Sequence, residues 1–160
     1  MTPSSHEGHS QGRETLGAQR AVATIGAGTG PLRAMRVLVI DDIDDTRFLL
    51  GSIFRLAGAE PIVVESASAA RAHLAQHPVD VLVCDIGLPD EDGNQFIRQV
   101  RSAPDGGLAA MPALALTAYA TPDDRAKALA SGFDEYLAKP VRPAVLVATV
   151  AQLAKSRTPL

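Results

Sequence analysis

The chain has 160 residues, of which 46% are hydrophobic and 21% are charged, and this length and composition suit one globular domain. Its formal net charge of −3 argues against a nucleic-acid-binding surface, because such a surface needs clustered Lys and Arg. A single cysteine excludes an intramolecular disulfide, and no apolar run reaches the roughly 20 residues of a membrane helix, so we expect a cytoplasmic protein without a membrane partner.

The first 34 residues differ from the rest of the chain. They are rich in Gly, Ser, Thr, Gln and His and show no sustained helical or strand period. Such a composition is typical of segments that bury too little apolar surface to fold. We therefore predict a disordered tail over residues 1–34, one folded domain over residues 35–154 and a short C-terminal tail over residues 155–160.

After residue 34, short apolar runs alternate with helical patterns. The runs are continuous rather than alternating, as expected for parallel strands that are covered on both faces. They cover residues 37–40, 62–64, 81–84, 113–116 and 136–138. Cys84 lies within the third run, which indicates a small core residue rather than a redox centre.

Each apolar run is followed by an amphipathic segment that predicts a helix. The side chains expected to face the core are Leu49, Ile53 and Leu56, then Ala70 and Leu74, then Phe96, Ile97 and Val100, then Ala126, Leu129 and Ala130, and finally Leu146, Val150 and Leu153. Gly58 and Gly132 are placed to end helices, and Thr121 before Pro122 indicates a helix N-cap.

Five strands that alternate with five helices predict an α/β fold, a doubly wound (βα)₅ three-layer sandwich of the flavodoxin-like kind. Parallel strands need right-handed crossovers, so the helices must cover both faces of the sheet. The expected strand order is 2-1-3-4-5.

Carboxylates follow the two strands that should be central neighbours. Asp41 and Asp42 come directly after strand 1, and Asp85 comes directly after strand 3. Because ligand sites of open α/β sheets lie at the carboxyl ends of the strands, we expect these three side chains to converge. Their repulsion would be relieved by a hard divalent cation with oxygen ligands, and Mg²⁺ fits that description.

The same edge should carry a hydroxyl and an ammonium. Strand 4 ends at Thr117, and Lys139 follows strand 5. A metal, a carboxylate, a hydroxyl and an ammonium together are suited to handling a phosphoryl group. Alone, each of these residues could be an ordinary loop or surface residue, and only their joint placement favours a site. Asp44 and Asp45 are expected instead to open helix 1, where acids favour the helix dipole and can cap free N–H groups.

These motifs together resemble a known family. The stretches "VLVIDDIDDTR", "VLVCDIGLPDEDG", "ALALTAYA" and "FDEYLAKP" are similar to the receiver domain of bacterial two-component response regulators, over about residues 35–154. The resemblance also covers Pro89 and Gly93 in the loop after strand 3, and it implies a cis peptide bond between Lys139 and Pro140.

The resemblance implies a role for each matching residue. Asp85 matches the phosphoacceptor, Asp42 the direct Mg²⁺ ligand and Asp41 its partner that acts mainly through water. Gly87 matches the position whose backbone carbonyl binds the metal. The remaining matches are Thr117 and Lys139, which contact the phosphoryl group, and Tyr136, the aromatic switch residue. Tyr119 departs from the family by its bulk, and we expect it to restrict the water that hydrolyses the acyl phosphate.

The implied function is that of a phosphoacceptor signalling domain in a phosphorelay. A sensor histidine kinase or a histidine phosphotransfer protein would phosphorylate Asp85 with Mg²⁺ bound, and helix 4, strand 5 and helix 5 would then present a switched surface to a downstream protein. That surface is expected around Arg125, Lys127, Tyr136 and Arg142.

Several alternatives stay open. The chain could be a free single-domain regulator or the receiver segment of a hybrid kinase, and phosphorylation could drive dimerisation. From another class, it could be a pseudo-receiver that acts as a constitutive protein-interaction scaffold. An enzyme that acts on external substrates is the third reading, and we do not favour it. The phosphatases that use an Asp nucleophile need a second acid two residues on, where this chain has Gly87.

Overall fold

The computed structural model describes residues 29–118 and 120–156. Within them, five parallel strands form one sheet in the order β2-β1-β3-β4-β5. The strands are β1 Arg36–Ile40, β2 Glu60–Val64, β3 Val81–Cys84, β4 Ala113–Thr117 and β5 Glu135–Ala138. The predicted strand order and fold class are confirmed.

Five helices cover both faces of the sheet: four connect successive strands, and the fifth follows β5. They are α1 Asp44–Leu56, α2 Ala67–Leu74, α3 Gly93–Arg101, α4 Pro122–Ser131 and α5 Pro143–Ser156. An additional helical turn, Gly106–Ala109, precedes β4 and was not predicted. Asp105 caps it by accepting hydrogen bonds from the N–H groups of Gly107 at 2.8 Å and Leu108 at 3.3 Å. The Asp-Gly-Gly sequence indicates a loop, and only this local capping makes it helical.

The core consists of two apolar layers, one on each face of the sheet. Side chains of the central strands alternate between them, since successive strand residues point to opposite faces. Leu38 and Leu82 pack with α3 on one face, and Val39 and Val83 pack with α1 and α5 on the other. This arrangement holds the carboxyl ends of β1 and β3 rigidly side by side.

The predicted core face of α1 is wrong for Leu49 and Leu56, whereas Ile53 is half-buried and packs against the core as predicted. The buried side chains are Leu50 and Phe54, whereas Leu49 is 57% and Leu56 is 88% exposed. Apolar residues surround most of this helix, so the helical period fits two faces equally well. Burial of the large Phe54 ring decides between them, because it removes the most apolar area from water.

The predicted face of α4 is also wrong. Ala126 and Ala130 are exposed, and the helix buries Ala128 and Ser131 instead. Alanine is small, so its position indicates little about which face is buried. In α2, α3 and α5, larger side chains define the stripe, and the predicted faces are confirmed.

The helix ends follow the predicted chemistry with one exception. Gly58 and Gly132 have φ angles of 93° and 129°, and Thr121 forms a capping box at the start of α4. Asp44 and Asp45 lie in the first turn of α1, where they favour the dipole. Neither caps the helix, because the N-cap residue is Ile43, whose side chain makes no capping hydrogen bond.

The packed structure begins before the predicted boundary at residue 35. Leu32 is fully buried, and its N–H donates to the Ala57 carbonyl at 3.0 Å. At the other end, α5 continues to Ser156, two residues into the predicted tail. Residues 1–28 and 157–160 lie outside the described part of the chain. No helix among the described residues is long and apolar enough to cross a membrane.

Candidate functional site

Three carboxylates converge at the carboxyl edge of the sheet. Asp41 follows β1 and Asp85 follows β3, and these strands are paired neighbours. Asp41, Asp42 and Asp85 each place one carboxylate oxygen within 4.8 Å of the other two. Asp41 and Asp85 are buried and Asp42 is exposed, so the cluster opens to solvent on the side of Asp42.

Lys139 lies beside two of these carboxylates. Its Nζ donates to Asp41 Oδ2 at 2.6 Å and to Asp85 Oδ2 at 3.2 Å. Burial alone would lower the pKa of the Lys139 ammonium, but the hydrogen bond that it donates to Asp41 and the charges of Asp85 and Asp41 outweigh burial and raise the pKa. Three carboxylates and one ammonium leave two formal negative charges in excess at this edge.

Asp41 is held on both of its oxygens. Oδ2 accepts from Lys139, and Oδ1 accepts from the backbone N–H of Ile43 at 2.9 Å. The exposed Asp42 carboxylate is therefore the one best placed to meet an ion from solution.

Asp85 is oriented by its neighbours in the chain as well as by Lys139. Its Oδ1 accepts from the N–H of Gly87 at 3.1 Å. Gly93 packs against the same backbone: a Cβ on Gly93 would fall 2.6 Å from the Asp85 carbonyl oxygen and 2.7 Å from Ile86 Cα. Only glycine fits so close an approach, which explains the glycine of the loop after β3.

Thr117 and Tyr136 lie on the neighbouring strands. Thr117 is fully buried at the end of β4, and its carbonyl accepts from the Lys139 N–H at 2.8 Å. Tyr136 pairs with Ala115, two residues before Thr117, so both side chains belong to one face of the sheet. The Tyr136 ring is buried, its hydroxyl has no hydrogen-bond partner among the described residues, and burial raises its pKa. The peptide bond between Lys139 and Pro140 is cis, as expected.

Sequence reasoning missed two residues that support this edge. Arg47 donates from Nη1 to the Asp41 carbonyl at 2.7 Å and also pairs with Asp44, and this links the first turn of α1 to the acidic cluster. Asp92 caps α3 by accepting from the Asn94 N–H at 2.8 Å. An acid directly before a helix is a recognisable cap signal, whereas the bond from Arg47 to a carbonyl leaves no mark in the sequence.

Cys84 is a core residue, as predicted. It is fully buried, and burial together with the charges of Asp85 and Asp41 raises the pKa of its thiol well above the ordinary value. Such a thiol stays protonated at neutral pH and is not activated as a nucleophile. Tyr119, expected to control access of water, lies outside the described residues.

The residues at this edge fit a hard divalent cation. The donor set is made only of carboxylate oxygens, and it carries an excess of negative charge that no described cation besides Lys139 relieves by contact within the cluster. It can hold a metal ion with Asp41, Asp42 and Asp85, and among the described residues no other such cluster of acids, histidines or cysteines is found. Lys139 and the metal would together favour a further anionic group at the same place.

The comparisons with known proteins agree with this geometry. The family model of the response regulator receiver domain matches residues 37–151. An uncharacterised 14.6 kDa protein of Leptolyngbya boryana is 43% identical over 121 residues, which are 76% of this chain and 91% of that protein.

Two longer relatives match through a part of their length. The sensor protein GacS of Pseudomonas syringae pv. syringae is 34% identical over 68% of this chain and 12% of GacS. The virulence transcriptional regulatory protein PhoP of Salmonella typhimurium is 38% identical over 66% of this chain and 46% of PhoP. The chain thus spans about half or less of these two relatives.

Solved structures share the fold over nearly their whole length. A putative response regulator from Chloroflexus aurantiacus has a TM-score of 0.72 and 31% identity, and the match covers 77% of this chain and 99% of that one. The chemotaxis response regulator CheY4 of Vibrio cholerae has a TM-score of 0.69 and 26% identity, with 75% and 98% covered. The chain belongs to the response regulator receiver domain family, whose members are signalling domains of two-component systems.

Proposed function

We propose that this domain accepts a phosphoryl group on Asp85 from the phosphohistidine of a sensor histidine kinase or of a histidine phosphotransfer protein, with Mg²⁺ bound. The observation that carries the proposal is the convergence of Asp41, Asp42 and Asp85 within 4.8 Å, with the Lys139 ammonium among them. Mg²⁺ would be held by these carboxylates and by the backbone carbonyl of Gly87, and it would offset the charge of the transferring group.

In the transfer, an Asp85 oxygen forms a bond to phosphorus while the bond from phosphorus to the donor's imidazole nitrogen breaks. The electron pair of that bond returns to the imidazole, which takes up a proton. Asp85 needs no general base, because its carboxylate is already the nucleophile. Gly87 and Lys139 fix the orientation of this carboxylate through hydrogen bonds at 3.1 and 3.2 Å, and Lys139 offers its charge to the developing phosphoryl oxygens.

The phosphoryl group would change the packing around Thr117 and Tyr136. Thr117 would donate its hydroxyl to a phosphoryl oxygen, and Tyr136, on the same face of the sheet, would follow. The buried Tyr136 hydroxyl lacks a hydrogen-bond partner among the described residues, so a packing that supplies one gains stability. Phosphorylation thereby shifts the population between two packings.

The output surface would be formed by α4, β5 and α5 and read by a downstream protein. Arg125 on α4 approaches Glu135 on β5 at 3.6 Å, so the two elements are linked at their exposed side. Lys127 on α4 and Arg142, directly before α5, are also exposed. The complete set of acids, hydroxyl and ammonium favours this function over a constitutive scaffold.

The proposal is tested by labelling with acetyl phosphate in the presence of Mg²⁺. The Asp85→Asn variant should take up no label, because an amide cannot form the acyl phosphate. Asp45→Asn is the matched control: Asp45 is exposed in the first turn of α1, and its variant should be labelled like the wild type. Labelling that persists in the Asp85→Asn protein would overturn the assignment.

A further inference from the structure

The loop between β3 and α3 folds back on itself beside the acidic cluster. It carries Gly87, whose carbonyl is a proposed ligand of Mg²⁺, and Gly87 pairs with Asp92 in an isolated antiparallel bridge. The Gly93 N–H closes the loop by donating to the Ile86 carbonyl at 2.8 Å. These bonds lie at the base of the loop, so its tip, residues 89–91, is left to be fixed by other contacts.

The loop tip is fastened to α2 by two acids. Asp90 accepts from the N–H groups of Ala67 at 3.3 Å and Ser68 at 3.1 Å, which are the first two residues of α2. Glu91 accepts from Arg71 Nη2 with both of its carboxylate oxygens, at 2.6 and 2.5 Å. Asp90 thereby satisfies two N–H groups at the start of a helix that lies more than 20 residues earlier in the chain. The loop tip and α2 are thus joined through side chains.

The Arg71 side chain is in turn held by α3. Its guanidinium carbon lies 5.2 Å from the centroid of the buried Phe96 ring, and its Nη2 also donates to Gln99 Oε1. The Glu91 side chain is only 13% exposed, so this ion pair is better shielded from water than a pair between exposed side chains. Arg71 therefore connects α2, the loop tip and α3 at one point.

We propose that Arg71, Glu91 and Asp90 are positioning residues for the Mg²⁺ site. They fasten the loop tip to α2 and so keep Gly87 in one position beside Asp85. The Gly87 N–H donates to Asp85 Oδ1 at 3.1 Å, so a displaced loop would disturb a metal ligand and the phosphoacceptor together. Residues that orient metal ligands in this way contribute to metal affinity without contact with the ion. The inference rests on the proposed function, because it requires Mg²⁺ at the acidic cluster and Gly87.

The test is the Mg²⁺ affinity of the Arg71→Gln variant, measured by isothermal titration calorimetry on the full chain. By charge alone, removing a cation should tighten the binding of Mg²⁺. We expect the opposite sign: the Kd should rise about fivefold, because a loop that holds Gly87 in place for about one fifth of the time binds with about one fifth of the affinity. Phosphorylation by acetyl phosphate should slow at low Mg²⁺ and return to the wild-type rate at saturating Mg²⁺.

Matched variants separate positioning from charge and from loss of folding. Arg71→Lys keeps the charge and a donor for Glu91, so its Kd should stay within about twofold of the wild type. Arg98→Gln removes the same charge from an exposed position on α3 and should not weaken Mg²⁺ binding. Glu91→Gln breaks the same contact from the other side, and it should weaken binding more than Glu65→Gln, which removes an exposed acid directly after β2. Circular dichroism checks that each variant is folded.

Two outcomes distinguish a failure of this inference from a failure of the proposed function. The inference alone is overturned if the wild type binds Mg²⁺ and is phosphorylated, while Arg71→Gln or, should that variant not fold, Glu91→Gln binds Mg²⁺ no more weakly than its matched control. A wild type that binds no Mg²⁺ overturns the proposed function, and the inference with it.

Discussion

Two cations lie among acids at opposite edges of the sheet, and they differ in how completely their charges are matched. At the carboxyl edge, the Lys139 ammonium contacts two carboxylates of a cluster of three. At the amino edge, Arg101 at the end of α3 bonds to Asp134 at 2.9 Å and to the carbonyls of Ala109, Met111 and Gly132 at 3.0, 2.5 and 2.9 Å.

The difference separates a structural network from a binding site. Arg101 has one acid and three carbonyls around it, and this set ties α3 to the segments that lead into β4 and β5 without requiring anything from solution. At the carboxyl edge, one ammonium contacts two of three carboxylates, and the excess negative charge favours the binding of a further cation. An unmatched charge cluster at a sheet edge is thus a stronger sign of function than the presence of ion pairs.

The largest effect is expected from removing Arg101. The Arg101→Ala substitution leaves Asp134 without its guanidinium and three carbonyls without a donor, so the free energy of unfolding should fall by about 3 kcal/mol. Urea denaturation measures this loss. Arg98→Ala is the matched control on the same helix, because exposed Arg98 makes one side-chain bond, to Ser131 at 3.1 Å; it should cost less than about 1 kcal/mol. If Arg101→Ala and Arg98→Ala lower the free energy of unfolding equally, Arg101 is not the structural network that distinguishes the amino edge from the carboxyl edge.

The Lys139→Met substitution should lower the free energy of unfolding less than Arg101→Ala does, but it should greatly slow phosphorylation. The rate of phosphorylation by acetyl phosphate in Mg²⁺ should fall about 100-fold, because a charge aimed at the transferring group is lost. In excess Mg²⁺ the free energy of unfolding should fall by less than in Arg101→Ala, since the metal relieves the same carboxylates. Lys155→Met, at an exposed position late in α5, should change neither quantity. A normal phosphorylation rate in Lys139→Met would contradict the role of the ammonium.

The smallest effect concerns alkaline pH. The folded state raises the pKa of Lys139 above its ordinary value of 10.5. Its stabilising contribution is therefore complete below pH 10.5 and is lost as the pH rises through the raised pKa. The difference in unfolding free energy between the wild type and Lys139→Met, measured without Mg²⁺, should shrink in that range. The difference between the wild type and Arg101→Ala should persist, because a guanidinium stays charged. If the difference in unfolding free energy between the wild type and Lys139→Met stays constant through this pH range, the ion pairing of Lys139 is contradicted.

Much of the fold could be predicted, because its signals are local and repeated. Continuous apolar runs predicted the strands, crossover handedness predicted helices on both faces of the sheet, and the doubly wound topology predicted the strand order. Large side chains such as Phe96 and Leu146 correctly defined the core faces of α3 and α5. On α1 the apolar residues nearly encircle the helix, and on α4 they are mostly alanines, so the period alone could not choose the buried face.

The residues of the site were easier to predict than the neighbouring residues that hold them in place. Asp41, Asp85 and Lys139 each follow a strand, and strand order alone brings them to one edge. Arg47 and the contact of Gly93 with the Asp85 backbone depend on loop paths that no period encodes. The burial of Leu32 depends on a turn that packs on the end of α1, so the start of the folded region was placed too late.

The most direct test of the account is the effect of Mg²⁺ on stability. If Asp41, Asp42 and Asp85 carry an excess charge that a divalent ion relieves, free Mg²⁺ at ten times its Kd should raise the free energy of unfolding by about 1.4 kcal/mol. The rise should be compared with NaCl at equal ionic strength, and it should be smaller in Asp85→Asn but unchanged in Asp45→Asn. A stability that is indifferent to millimolar Mg²⁺ would contradict the central claim.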